Sequence, residues 1–208
     1  VKGKRSTVNQ AAWIDAAYEL LIDGGVGAVK IVPLASKLGT SRTSFYWLFE
    51  DREAILAALL ARWERQNTEA LVRQSEAYAA SIVEAVLNVF DCWFDPGLFD
   101  SEFEYAVRSW SLQDGAVAER VRHADERRLE ALQRLFVRYG YAAAEADTRA
   151  RTVYLIQIGY ISMHTRESRE TRLARVAHYV EIFTGQSCTP EDLARFAARH
   201  PARFADEA

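Results

Sequence analysis

The sequence predicts an all-α protein of about nine or ten helices. Glycine and proline are scarce, at 10 and 4 of 208 residues, which leaves little room for the many tight turns of a sandwich or barrel. Ala, Leu, Arg and Glu recur throughout, a composition that favours helices. Apolar residues also return at three- and four-residue spacing along nearly the whole chain.

The first predicted helix covers 9–22, with Ala12, Ile14, Ala16, Ala17, Leu20 and Leu21 on one stripe and Asp23-Gly24-Gly25 as its stop. A short loop follows. Pro33 fits only the first turn of a helix, so the second helix starts near Ile31 or Val32 and ends at Gly39. Thr40 and Ser41 offer hydroxyl caps to a third short helix that ends near Glu50. Asp51 caps a longer fourth helix, 51–76, with Ile55, Leu56, Leu59, Leu60 and Trp63 facing inward. Helical stripes continue over 81–94, 99–110, 114–139, 145–165 and 170–184. Asp95-Pro96-Gly97 and Gly140 break the chain between them, and a last short helix follows Pro190.

Bulk properties narrow the class. Half the residues are hydrophobic and a quarter charged, as in ordinary globular proteins. The two cysteines, Cys92 and Cys188, lie far apart and read as thiols of a reducing compartment. The longest apolar run, 152–163, is too short to span a bilayer, and the polar, basic start of the chain lacks the apolar core of a signal peptide. The expected setting is the cytoplasm, with no membrane partner. Net charge is −3, unevenly spread. Residues 1–52 carry seven basic side chains against five acidic ones, which leaves the remainder at −5. A small head more positive than its acidic body suits a module that meets nucleic acid.

That head is where the residues become specific. Two short helices joined by a Gly-containing turn form a helix-turn-helix arrangement. Ala35 allows the helices to approach, and Gly39 permits the turn. The third helix carries Ser41, Arg42, Thr43, Ser44, Tyr46 and Trp47 on one side and Phe45, Leu48 and Phe49 on the other. Hydroxyls and a phenol bond phosphate oxygens, and an arginine reads guanine edges or neutralises phosphate.

The run LASKLGTSRTSFYWLFEDREAIL resembles the signature of the tetracycline-repressor (TetR) family, and AAWIDAAYELLIDGGVGAVK resembles that family's first helix and its exit. The resemblance covers roughly residues 10–60. It implies that Thr40 to Trp47 lie in the major groove, with Tyr46 on a phosphate and Arg42, Thr43 and Trp47 nearest the bases. It implies backbone contacts for Lys30 and Arg52, and a basic arm formed by Lys4 and Arg5. Lys30 stands where the family often has Thr, Thr43 where it often has Gly or Ala, and Leu48 where an aromatic or His is usual, so the target sequence is not carried over.

The resemblance further implies a helix-turn-helix domain over 1–52, with helix four as connector, and a ligand-binding and dimerisation domain over 53–208. Family members are typically repressors of palindromic operators, released when a small molecule fills the body. Trp93, Phe103, Tyr105, Arg108, Trp110, Tyr154, Met163 and His164 are the expected pocket residues, although aromatic stripes at helical spacing also serve as plain core. Residues 150–163 are apolar nearly all round, more than one buried face needs. Leu155, Ile158 and Gly159, with Val176, Val180 and Phe183, are therefore the expected seam between two copies. The expected partners are double-stranded DNA, a second copy of the chain and an unidentified small-molecule effector.

An enzyme is not expected. The sequence has no Gly-rich phosphate loop, nucleophile elbow or paired metal-ligand motif. The four histidines form no i, i+4 pair and neither cysteine has a CxxC partner, so neither a metal, another cofactor nor catalytic residues are expected. The competing class is a helical ligand carrier or protein-interaction module without DNA binding, to which the acidic total charge also fits.

Overall fold

The computed structural model describes residues 8–200. They form ten helices and no strand. In order these are α1 (Gln10–Gly24), α2 (Ile31–Lys37), α3 (Arg42–Tyr46) and α4, which joins Arg52–Trp63, a π-helical Glu64–Glu69 and Ala70–Glu76 without a break. Then follow α5 (Ile82–Phe94), α6 (Ser101–Ser111), α7 (Gly115–Arg138), α8 (Ala143–Ser162), α9 (Arg169–Thr184) and α10 (Pro190–Arg199). A single 3₁₀ turn, Val26–Ala28, links α1 to α2.

Helix starts follow the capping residues. Asn9, Ser41, Asp51, Ser81 and Ser168 each accept a backbone N–H from three residues on, satisfying donors that a helix start leaves open. Thr189 and Asp192 cap α10 reciprocally, with Pro190 at its first position. Gly25 ends α1 at φ 68°, where its N–H meets the Leu21 carbonyl, and Gly185 ends α9 in the left-handed region.

Two elements differ from the sequence expectation. The third helix closes at Tyr46, because the N–H groups of Leu48 and Phe49 both turn onto the Phe45 carbonyl. The π-helical stretch inside α4 carries no periodicity signal. It places Asn67 in the interior, where its side-chain amide donates to the Asp100 carbonyl (2.9 Å) and accepts from the Asp100 N–H (3.0 Å). A side chain that satisfies both backbone groups of a loop residue gives that local widening a structural reason.

The chain divides into two compact units. The first comprises the described part of Val1–Arg65 together with Glu102–Arg122, and the second Gln66–Ser101 with the described part of His123–Ala208. In the first unit α1 packs on α2 and α4, and α2 on α3, around fully buried Trp13, Leu34, Phe45, Ile55 and Leu59. Residues 102–122 join it through specific contacts. Buried Glu104 accepts from Trp63 Nε1 at 2.7 Å and from Arg108 Nε at 2.9 Å, Phe103 meets Tyr18 edge-on, and Arg120 grips Glu64 with two nitrogens. No sequence pattern signals that pairing.

The second unit is built on α5, which is buried almost throughout, with α8, α9, α10 and the later part of α7 around it. At its centre Arg128 is fully enclosed. It donates to Thr68 Oγ1 (3.0 Å) and Tyr154 Oη (2.8 Å), and Tyr154 in turn donates to Asp125 (2.6 Å). Phe196 holds α10 against Phe90 and Phe94, beside a 2.6 Å contact between His200 Nε2 and Asp91.

Candidate nucleic-acid interface and body cavity

The helix-turn-helix is shaped by a few local choices. Gly39 has φ 59°, a conformation that an L side chain rarely adopts, and it lets the chain reverse between α2 and α3. The Thr40 N–H then reaches the Ala35 carbonyl at 2.9 Å. Phe45 anchors α3 from within. Its ring lies edge-on to Trp13 at 5.3 Å and stacked on Phe49 at the same centroid distance.

With Phe45 inside, the opposite side of α3 has to face outward. Arg42 and Thr43 are exposed, Tyr46 is 57 % exposed and Trp47 73 %. Such exposure is unusual for two adjacent aromatic side chains. Ser41 and Thr40 play a different part. Thr40 Oγ1 donates to Ser44 Oγ (3.1 Å), the Ser41 and Ser44 hydroxyls lie 3.2 Å apart, and Ser41 Oγ accepts the Ser44 N–H. These hydroxyls brace the start of the helix, while Arg42, Thr43, Tyr46 and Trp47 present the outward chemistry.

Lys30 is exposed immediately before α2. Lys37 is tied at 2.6 Å to Glu19, whose hydrogen bond raises the lysine pKa above its usual value. Arg52 is engaged with the protein itself: Nε donates to the Val29 carbonyl at 2.6 Å and a terminal nitrogen to Val26 at 2.7 Å. It therefore fastens the start of α4 to the turn that leads into Lys30. Replacing Arg52 with Ala should lower stability by about 1–3 kcal/mol, because two charge-assisted bonds to carbonyls are lost. Urea unfolding measures this, and an unchanged midpoint would show the side chain to be structurally idle. Lys4 and Arg5 lie outside the described residues.

The residues expected to line a pocket are divided between the two units. Phe103, Tyr105, Arg108 and Trp110 belong to the first unit, where Arg108 pairs with Glu104 and Trp110 borders an open groove with Leu56 and Leu60. Tyr154 is enclosed in the Arg128 network. Met163 and His164 are exposed at the end of α8, with His164 at φ 48°. Trp93 alone of the eight lines the cavity of the second unit.

That cavity has an apolar floor and a polar rim. Phe90, Trp93, Phe183 and Val153 form the floor, and Tyr160, Tyr179, Glu167, Arg172 and Arg175 the rim. The two phenols hydrogen-bond at 2.8 Å, and that bond, followed by burial, pushes the Tyr179 hydroxyl up to about 12. Arg172 donates to the Trp93 carbonyl at 2.8 Å and lies over the Phe94 ring, and burial lowers its pKa. Arg172 carried a readable signal. It stands four, seven and eleven residues before Val176, Tyr179 and Phe183, so a charge sits in register with an inward stripe.

The six residues expected at a seam between copies also divide. Leu155 is exposed, and Ile158 and Gly159 are half-buried. Val176, Val180 and Phe183 are instead buried in the core of their own unit, because α9 turns that stripe toward α5. Ile182 is the large apolar side chain that α9 leaves outside. Among the described residues no group of three or more His, Cys, Asp or Glu side chains is placed to hold a metal, and no helix is long and apolar enough to cross a membrane. Cys92 is buried, which pushes its thiol pKa upward.

A short helix pair joined through a left-handed glycine, with an arginine, a hydroxyl and two bare aromatics on its outer side, is a helix-turn-helix of the kind that DNA-binding regulators carry. Residues 14–59 match the model of the bacterial regulatory proteins of the TetR family, which are transcriptional regulators and not enzymes. No curated protein matches it in sequence. A crystal structure of a TetR-family transcriptional regulator from Mesorhizobium loti is 16 % identical. The match covers 94 % of this chain and 98 % of that one at a TM-score of 0.58, a likeness of fold. The TetR family repressor AlkX from a Dietzia species, implicated in biodegradation of n-alkanes, is 17 % identical. It covers 84 % of this chain and 94 % of its own at 0.47, too loose a superposition to support more.

Proposed function

We propose that the chain works as a homodimeric repressor that binds a palindromic operator and leaves it when a small molecule occupies the second unit. The observation that carries this is the outward set on α3, Arg42, Thr43, Tyr46 and Trp47, held rigidly by buried Phe45 behind it. In this reading the helix enters the major groove, Tyr46 bonds a phosphate and Arg42 reads a base edge, while Lys30 and the basic Lys4 and Arg5 add sequence-independent attraction. One short helix touches few base pairs, so two copies reading two half-sites supply the specificity. Exposed Leu155 on α8 and Ile182 on α9 support a dimer contact through those helices, and the cavity floored by Phe90, Trp93 and Phe183 supports a ligand.

The test is a pair of substitutions on the exposed side of α3. Tyr46→Ala should weaken binding to all DNA sequences alike, as loss of a phosphate contact does. Arg42→Ala should cost about 1–3 kcal/mol on the preferred sequence and little on others. Fluorescence anisotropy on matched and scrambled duplexes separates the two. Equal losses on every duplex for Arg42→Ala would reduce it to a phosphate contact, and no loss for either variant would remove α3 from the interface.

A further inference from the structure

We propose that the cavity of the second unit is a carboxylate site, taking a compact organic acid whose apolar body lies among Phe90, Trp93 and Phe183 and whose carboxylate meets Arg172. The inference rests on the reading of this chain as an effector-responsive regulator and names the chemical class of that effector.

The charges at the rim point to an anion. Glu167 and Arg175 form an ion pair and largely cancel one another. Arg172 feels the Glu167 charge as well but forms no ion pair of its own among the described residues. Among the described residues its one hydrogen bond goes to the neutral Trp93 carbonyl, so most of its five N–H donors have no acceptor. That carbonyl and the Phe94 ring, 4.9 Å from the guanidinium carbon, fix the group in place at the cavity. Burial works against its charge, and a carboxylate is the partner that restores the balance with two parallel bonds. An aromatic-walled cavity also suits an organic cation. Such a cation would face two arginines here and one carboxylate that is already engaged.

Three probes of similar shape test this on the full chain by titration calorimetry: phenylacetate, 2-phenylethanol and 2-phenylethylammonium. Phenylacetate should bind about tenfold or more tightly than either of the others, as expected for a hydrogen-bonded charge. Arg172→Gln should abolish that preference. If Arg172→Gln loses its helical circular dichroism, Ile156→Trp serves instead, filling the cavity from α8 and removing acid binding from a folded chain. The proposal is overturned if the acid does not bind, if the alcohol or ammonium binds as tightly, or if the preference survives either substitution. DNA binding by the unliganded chain is measured in parallel. A chain that binds DNA but no acid loses this proposal alone, whereas acid binding without any DNA binding keeps the cavity assignment and overturns the regulator reading.

Discussion

Phe45→Ala should abolish DNA binding by unfolding the helix-turn-helix. Phe45 is fully buried, edge-on to Trp13 and stacked on Phe49, and it is the one buried side chain of a five-residue helix. A helix that short has almost no stability of its own, so what holds α3 in place is the packing of this ring. Truncating a buried Phe to Ala typically costs about 3–5 kcal/mol, and here the loss falls on the element that presents Arg42 and Tyr46. Denaturant unfolding followed by tryptophan fluorescence should show the destabilisation, since Trp13 and Trp47 lie in the same unit. The contrast with Tyr46→Ala is the useful control: that variant should lose affinity at unchanged stability, because Tyr46 is exposed. A Phe45→Ala protein that keeps both its unfolding midpoint and its DNA affinity would show that α3 is held by something else.

Arg128→Ala should have the largest effect in the second unit, about 3–5 kcal/mol, the range found when one partner of a buried charged network is removed. Its guanidinium supplies the donors for Thr68 and Tyr154, lies 3.8 Å from Asp125, and sits over the Phe99 ring at 5.4 Å. Removing it strands buried acceptors and opens a void at once. Arg128→Met separates these contributions, since it fills much of the volume and restores no donor. If packing dominates, Met should recover most of the loss. If the hydrogen bonds dominate, Met should remain nearly as unstable as Ala. Thermal unfolding of both variants decides between them, and wild-type stability in Arg128→Ala would contradict the account of this network.

The helices were legible for a plain reason. Each carries an apolar stripe, and most begin at a Ser, Thr, Asn or Asp whose side chain does cap it, as Asn9, Asp51 and Thr189 show. The helix-turn-helix was legible too, because its turn demands glycine at Gly39 and its short third helix demands one large inward ring. What periodicity does not encode is which neighbour a stripe faces. Phe103 and Trp110 look like pocket walls in sequence, yet their helix belongs with the first unit, fixed there by the Trp63–Glu104 bond. Val176, Val180 and Phe183 form a stripe equally suited to a partner copy or to the chain's own core, and α5 occupies it. Arg52 illustrates the same limit for polar residues. A basic side chain beside a DNA-reading helix invites a phosphate, but two carbonyls of the preceding turn, at 2.6 and 2.7 Å, already hold it.

Those placements matter for how the regulator would be re-engineered. Arg42, Thr43 and Trp47 can be changed without disturbing a buried contact, whereas Thr40, Ser41 and Ser44 brace one another. Altered DNA preference is therefore best sought at the first group, and changes in the second should appear first as lost stability of α3.

The central claim, that α3 reads DNA as part of a symmetric pair, is tested most directly by incubating the purified full chain with random-sequence duplexes at low salt and sequencing what it retains. Enrichment of an inverted repeat is expected, with half-sites centred about one helical turn, roughly 10 base pairs, apart and binding that falls steeply as salt rises. A folded chain that retains no sequence above background under those conditions would contradict it.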